Sequence, residues 1–223
     1  MAAIESYVQP RRLYRYRSLA RFERELDAIK NAYLYCSAYM DLNDPMEGLF
    51  TSSTLMRKSE NYRQIRNAIR DNKAQIGVCS FSEVHNHELM WAHYANKFRG
   101  ICVAYSLTRL LKNLADDVRF VRMYYDQTVP TLHRTSKDPR QLAKMVLSYK
   151  NYRWLYEREW RMFATLGKAY YTDVACVTKV YLGSRMEAGE RKRIVNALEQ
   201  LGIKTSDMTI DEYFISFEDI DHE

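Results

Sequence analysis

A chain of 223 residues, 47% hydrophobic and 28% charged, is long enough to bury a substantial core, and its composition reads as that of a soluble globular protein rather than a disordered or membrane one. Its net charge of +6 is compatible with a polyanionic partner, but the basic residues are spread over "RRLYRYR", "RKSENYRQIRNAIRDNK" and "ERKR" and form no single block. No apolar run approaches the ~20 residues of a membrane helix, and "MAAIESYVQPRRLYRYR" lacks the basic start and apolar middle of a signal peptide, so a cytoplasmic location with no membrane association is expected.

In chain order, "RLYRYR" (12–17) alternates as a strand does, and "SLARFERELDAIKN" (18–31) follows as a helix with Ser18 as cap and Leu19, Phe22, Leu26 and Ile29 on one face. "AYLYCS" (32–37) reads as a second strand. "DLNDPMEG" (41–48) clusters Asn, Asp, Pro and Gly and reads as an ordered turn. A polar helix is expected over 53–73, a strand over 76–82, a helix over 86–97 with Asn86 as cap, a strand over 100–106 and a short helix over 107–115. Then come a strand (118–125), a helix (136–154), strands at 157–165 and 173–183, a helix (187–202) stopped by Gly202, and a last strand at 213–219. Seven glycines, four prolines and no low-complexity linker argue for one domain spanning 1–223. The order predicts an α+β fold whose central sheet, of about six to eight strands, is mostly antiparallel or split and flanked by helices. No GxGxxG or GxxxxGK[ST] follows any strand, so a doubly wound nucleotide fold is not expected.

Four cysteines without a CxxC, three of them in apolar strand-like runs, predict buried thiols in a reducing compartment. His85, His87 and His93 lie near Cys79 but match no zinc-ligand spacing, so no metal is expected. The stretch "YEREWRMF" (156–163) carries more chemistry. As a strand it would place Glu157, Glu159 and Arg161 on one side and Trp160 and Met162 on the other. Two readings stand: a solvated outer face with a cross-strand ion pair, or a carboxylate pair that binds a sugar hydroxyl or stabilises a developing cation, with Arg161 holding one of them. In "NDPMEG", Asn43 and Asp44 suit an Asx-type turn, which leaves Glu47 as a structural partner for an arginine of "RYR" or a site residue. Ser80 and Ser82 flank Phe81 on one side of a strand end, where they could meet a ligand or cap the next turn. Trp91, His93 and Tyr94 share one helix, with His93 readable as a core-edge or pocket-lining group.

Together, "LYRYRSL", "NDPMEG", "CSFSE", "LMWAHYANKFRGICVAY" and "YEREWRM" resemble a widespread bacterial family of domains of unknown function over about residues 12–183, leaving a helix and strand in 184–223 outside the motif-bearing core. The chain also resembles the ADP-ribosyltransferase superfamily, whose signature runs from an Arg on a first strand through a Ser element to a Glu-x-Glu. That resemblance implies a split α+β sheet with NAD as a substrate. With Arg15 or Arg17, the pair Ser80 and Ser82, and Glu157-x-Glu159 in that order, it implies Arg15 on a pyrophosphate, Ser80 in the nicotinamide-ribose pocket, Glu159 on a ribose hydroxyl and Glu157 acting on the acceptor. The implied acceptor is a nucleic acid or protein, in a bacterial defence or toxin role. The full candidate site is then Glu157 and Glu159 for catalysis, with Tyr14, Arg15, Asn43, Asp44, Glu47, Ser80, Ser82, Trp91, His93, Tyr94 and Arg161 for binding. The alternative is a non-catalytic module that uses the same residues to bind a nucleotide or nucleic acid. A third reading is a metal-dependent nuclease built on Asp44, Glu47, Glu157 and Glu159.

Overall fold

The computed structural model describes residues 9–133 and 138–220. They form an α+β fold whose elements fall into two compact units. Among the described residues, the first unit takes 9–22, 83–113 and 173–220, and the second takes 23–82, 114–133 and 138–172.

In the first unit, five strands lie in the order Arg12–Arg17, Ile101–Ser106, Val177–Leu182, Thr205–Asp211, Phe214–Asp219. All neighbours are antiparallel except Val177–Leu182 and Thr205–Asp211, a parallel pair joined through the helix Ala188–Glu199. Ile101 to Tyr105 are all buried, as expected of a strand covered on both faces. The core around them holds Leu13, Trp91, Leu110, Val180, Ile194 and Leu198. The helix Glu88–Tyr94 is shorter at both ends than its sequence periodicity implies. His87 caps it, its Nδ1 accepting from Leu89 N–H at 3.3 Å, and Asn96, Lys97 and Phe98 then take φ of 48°, 55° and 69°. This left-handed turn delivers the chain to Gly100, where a Cβ would lie 2.1 Å from the Arg17 carbonyl oxygen, so only glycine fits.

In the second unit, the strand Ile76–Ser82 pairs with Tyr33–Ala38 and with Glu159–Thr165. Gly167–Tyr170 and Arg119–Arg122 extend the sheet at its two ends, and every one of these pairings is antiparallel. The helices Tyr62–Gln75 and Pro139–Val146 contribute Ile69, Leu142, Ala143 and Val146 to a core shared with Ile76, Val78 and Phe163. Two short parallel pairs, Thr51–Ser52 with Thr131–Leu132 and Tyr124–Asp126 with Tyr149–Asn151, complete it.

Several expected boundaries move, each for a local reason. The helix expected over 53–73 is two: Ser53 caps Thr54–Arg57, the Ser59 hydroxyl donates to the Met56 carbonyl at 2.6 Å, and a new helix starts at Tyr62. The helix expected over 136–154 ends at Val146; its first two residues lie outside the described residues, and Tyr149–Asn151 joins a strand pair instead. The strand expected over 118–125 breaks at Met123. There its N–H goes to the Glu159 carbonyl, and the next one, of Tyr124, to that of Ser148. The strand expected from 157 begins at Glu159, because Tyr152–Glu157 is a 3-10 helix capped by Asn151 and closed by Arg158 at φ 45°. Thr205–Asp211 and Gly167–Tyr170 are strands the residue pattern does not announce. All four cysteines are buried, with no disulfide among the described residues. No helix among the described residues is long and apolar enough to cross a membrane.

Candidate functional site

The second unit gathers the charged motif residues. The Asn43–Gly48 segment folds as an Asx turn: Asp44 Oδ1 accepts from Met46 N–H at 2.9 Å, and Glu47 N–H donates to the Asp44 carbonyl at 3.1 Å. Gly48 follows at φ 71°, and its carbonyl accepts from Lys73 Nζ at 2.6 Å. That ammonium also lies over the rings of Tyr39 (4.9 Å) and Phe50 (5.6 Å), and burial lowers its pKa. The turn so anchored carries Glu47 into the interior, while Asn43 is exposed.

There Glu47 meets Glu157, Glu159, Lys150 and Arg161, so its arginine partner is Arg161 and not one of "RYR". Arg161 Nε donates to Glu159 Oε1 at 2.7 Å, Nη2 to Glu159 Oε2 at 3.2 Å and to Glu47 Oε1 at 2.7 Å, and Nη1 to the Leu147 carbonyl at 2.7 Å. Lys150 Nζ lies 2.5 Å from Glu157 Oε2, 3.0 Å from Glu159 Oε2 and 3.5 Å from Glu47 Oε1. The five side chains are between 1% and 7% exposed, so the reading of "YEREWR" as a solvated charged face is overturned: this is a buried ion network. Glu159 and Arg161 share a strand side as alternation requires. Glu157 joins them differently, because the left-handed Arg158 turns the chain between the 3-10 helix and the strand.

Neighbouring groups complete the hydrogen bonding. Tyr125 Oη accepts from Glu159 N–H at 2.8 Å, Ser82 Oγ donates to the Glu157 carbonyl at 2.7 Å, and Ser80 hydrogen-bonds the Glu159 side chain. Burial alone would raise the Glu159 pKa, but Arg161, Lys150 and Ser80 together bring it down to about 2. The Lys150 and Arg161 pKa values are also opposed by burial, and the carboxylates around them more than restore it, so both rise. Lys150 and Tyr125 were not anticipated as site residues. The signal available for Lys150 was a lysine between two aromatics in "YKNYRW", which closes on Trp154 at 5.1 Å.

Beside this network a recess of about 70 Å³ is lined by Asp44, Glu47, Lys150 and Asp126, with Met46, Leu49, Val129, Pro130 and Tyr149 among its other walls. Among the described residues, no three His, Cys, Asp or Glu side chains group as a metal-ligand set.

The first unit holds the other motif residues. Trp91 is fully buried, its indole N–H donating to the His85 carbonyl at 2.7 Å, while His93 is exposed and Tyr94 half-buried. Arg15 is buried within its strand. Tyr14 is half-buried, stacked on His85 at 4.8 Å, and His85 in turn packs on Tyr181 (4.5 Å) and Phe217 (5.2 Å). Burial raises the Tyr14 pKa against a hydrogen bond with Arg12, and burial with the nearby Arg12 and Lys179 charges lowers that of His85. Tyr14 lines an open groove with Arg11, Arg12, Arg109, Ser106 and Thr108, and Glu83 is its acidic member. Arg109 is steadied there by the Ala175 carbonyl at 3.1 Å and by Asp173 at 3.7 Å. Sequence reading singled out Tyr14 of this set but not its arginines, which come from the start of one strand and from the helix Leu107–Asn113.

Residues 90–162 match the model of a family described as Protein of unknown function (DUF2971). The span includes "MWAHY" and "YEREWRM", and over it the expected likeness to a family of unknown function is borne out; "LYRYRSL" and "NDPMEG" precede it. No curated protein and no solved structure matches the chain.

Proposed function

We propose that this protein is a non-catalytic binding module for a nucleotide or a single-stranded nucleic acid, and that the arginine groove of its first unit is the binding surface. The groove itself carries this reading: Arg11, Arg12 and Arg109 are exposed along it beside the half-buried ring of Tyr14 and the hydroxyls of Ser106 and Thr108. Guanidinium groups suit phosphate oxygens, hydroxyls add neutral donors, and a half-buried tyrosine offers apolar surface to a base. The +6 net charge of the chain favours approach of such a polyanion.

The state of the Glu-x-Glu supports binding over transfer chemistry. To act on a ribose hydroxyl of NAD, Glu159 would have to leave Arg161 and Lys150, and a carboxyl held at about pKa 2 is a poor proton acceptor. Both carboxylates serve better as scaffold. The test is fluorescence anisotropy of a short labelled single-stranded DNA and RNA at several salt concentrations. Three arginine–phosphate contacts predict a log–log salt slope of about −2 for a single strand, and Arg12→Ala or Arg109→Ala should each make it shallower by about 0.7. Absence of binding, a flat salt dependence, or variants that bind as tightly as wild type would refute the reading. Release of nicotinamide from NAD above a protein-free control would return the transferase reading to first place.

A further inference from the structure

The ion network of the second unit is not electrically balanced. Glu47, Glu157 and Glu159 contribute three carboxylates against the two cations Lys150 and Arg161, all in a setting at most 7% exposed. Buried charge is costly unless it is paired and hydrogen-bonded, and Glu47 and Lys150 of this network also line the recess. Two carboxylates lining the recess, each more than nine-tenths buried, are incompletely used. Glu47 Oε2 has no hydrogen-bond partner among the described residues. Asp44 spends Oδ1 on Met46 N–H, and no hydrogen bond to its Oδ2 is present among the described residues. At the mouth stands Asp126, whose pKa is held below the ordinary value by hydrogen bonds from Thr128. Every lone pair left over here calls for a donor. Arg161 and Lys150 already donate to the carboxylates of the network and to the Leu147 carbonyl.

The walls specify the rest of the ligand. Met46, Leu49 and Val129 line the recess and remain 55%, 51% and 39% exposed, with Pro130 and Tyr149 beside them. An acidic floor beneath an apolar mouth suits a group with a charged donor at one end and hydrocarbon behind it. Phosphate and carboxylate are excluded by the same surplus of negative charge. We infer that the Asp44–Glu47 recess is a binding site for an organic ammonium group on an apolar chain, with Glu47 and Asp44 accepting its hydrogen bonds and Met46, Leu49 and Val129 packing on the chain. The site is independent of the arginine groove, which belongs to the other unit and takes the opposite charge.

Isothermal titration calorimetry on the full chain tests this with n-butylammonium as probe, 1-butanol as its neutral counterpart and tetramethylammonium as a cation without donors. Saturable binding of n-butylammonium with a Kd of about 1 mM, a few kcal/mol of free energy for so small a molecule, is expected. Both controls should bind at least tenfold more weakly. Glu47→Gln should weaken n-butylammonium about tenfold, and Asp126→Asn about twofold. Butanol binding as well as the amine would reduce the site to apolar packing, and tetramethylammonium binding equally would reduce it to diffuse attraction; either overturns the inference. If Glu47→Gln does not fold, Val129→Trp at the exposed mouth decides, since it blocks the recess and leaves the ion network intact: unchanged affinity overturns the assignment. Nα-acetyl-lysine N-methylamide separates two sources of the same chemistry. Its binding extends the site to lysine side chains of a protein, its exclusion confines the site to free amines, and either supports the ammonium.

Discussion

Arg161→Met asks most directly whether the buried network holds the second unit together. The substitution keeps an unbranched apolar stem and removes one charge from a position with no exposed surface. Four hydrogen bonds go with it: two to Glu159, one to Glu47 and one to the Leu147 carbonyl. Lys150 then remains as the cation in contact with all three carboxylates. Removing one partner of a buried pair costs about 3–5 kcal/mol, chiefly because the survivors stay charged and desolvated. That is a large part of the stability of an ordinary domain. Linkage supplies a second signature. The Glu159 pKa is depressed in the folded protein from 4.5 to about 2, so its contribution is complete above about pH 4.5 and is lost as the pH falls through about 2. For this group alone the loss is about 3 kcal/mol. Urea unfolding at pH 7, followed by circular dichroism and by the fluorescence of Trp154 and Trp160, should show the full destabilisation in Arg161→Met. Titration from pH 5 to pH 2 should show the acid sensitivity of wild type much reduced in the variant. A loss below about 1 kcal/mol, or an unchanged acid profile, would mean that solvent screens these charges and that the network is not a structural keystone.

Lys73→Met removes the ammonium that holds the Gly48 carbonyl. Because burial lowers the Lys73 pKa from 10.5, the folded state releases its proton before the unfolded state does, and wild type gains stability relative to the variant as pH rises toward 10.5. Paired urea curves at neutral and alkaline pH measure that divergence, and parallel curves would refute it. In the left-handed turn, Lys97→Gly relieves the cost of a side chain at φ 55° and should raise stability by up to about 1 kcal/mol, or about 2–4 °C in melting temperature. Scanning calorimetry reads the shift, and a lower melting temperature would show the turn to be unstrained.

The α+β class was legible because strand alternation and helical periodicity are local. "RLYRYR" and "IGVCSFS" are strands at their expected limits. Where pairing partners decide, local pattern fell short. Thr205–Asp211 is largely polar, yet it is a strand because it lies between Val177–Leu182 and Phe214–Asp219. Tyr149–Asn151 leaves the helix its sequence suggests for the partner Tyr124–Asp126. In the site, the chemistry of "NDPMEG" and "YEREWR" was visible as unexplained carboxylates. Their convergence was not, since Glu47 and Arg161 are 114 positions apart. Lys150 escaped notice because one lysine between two aromatics is a faint pattern, and only the fold shows it to be the second cation of the network.

Glu159 therefore answers the question its motif poses in favour of Arg161's partner. A carboxylate that is to polarise a substrate needs a free lone pair and access; Glu159 gives both oxygens to Arg161, shares one with Lys150 and is 3% exposed. The lone pairs that remain belong to Glu47 and Asp44, on the loop and not on the strand. The strand's charges orient and hold the loop's carboxylate, which passes any ligand-facing role from the Glu-x-Glu to "NDPMEG". A Glu159→Gln variant would then weaken ligand binding only through the position of Glu47, whereas Glu47→Gln removes the acceptor itself. The order of the two effects on n-butylammonium affinity, Glu47→Gln the larger, follows from that geometry, and the reverse order would put the acceptor back on the strand.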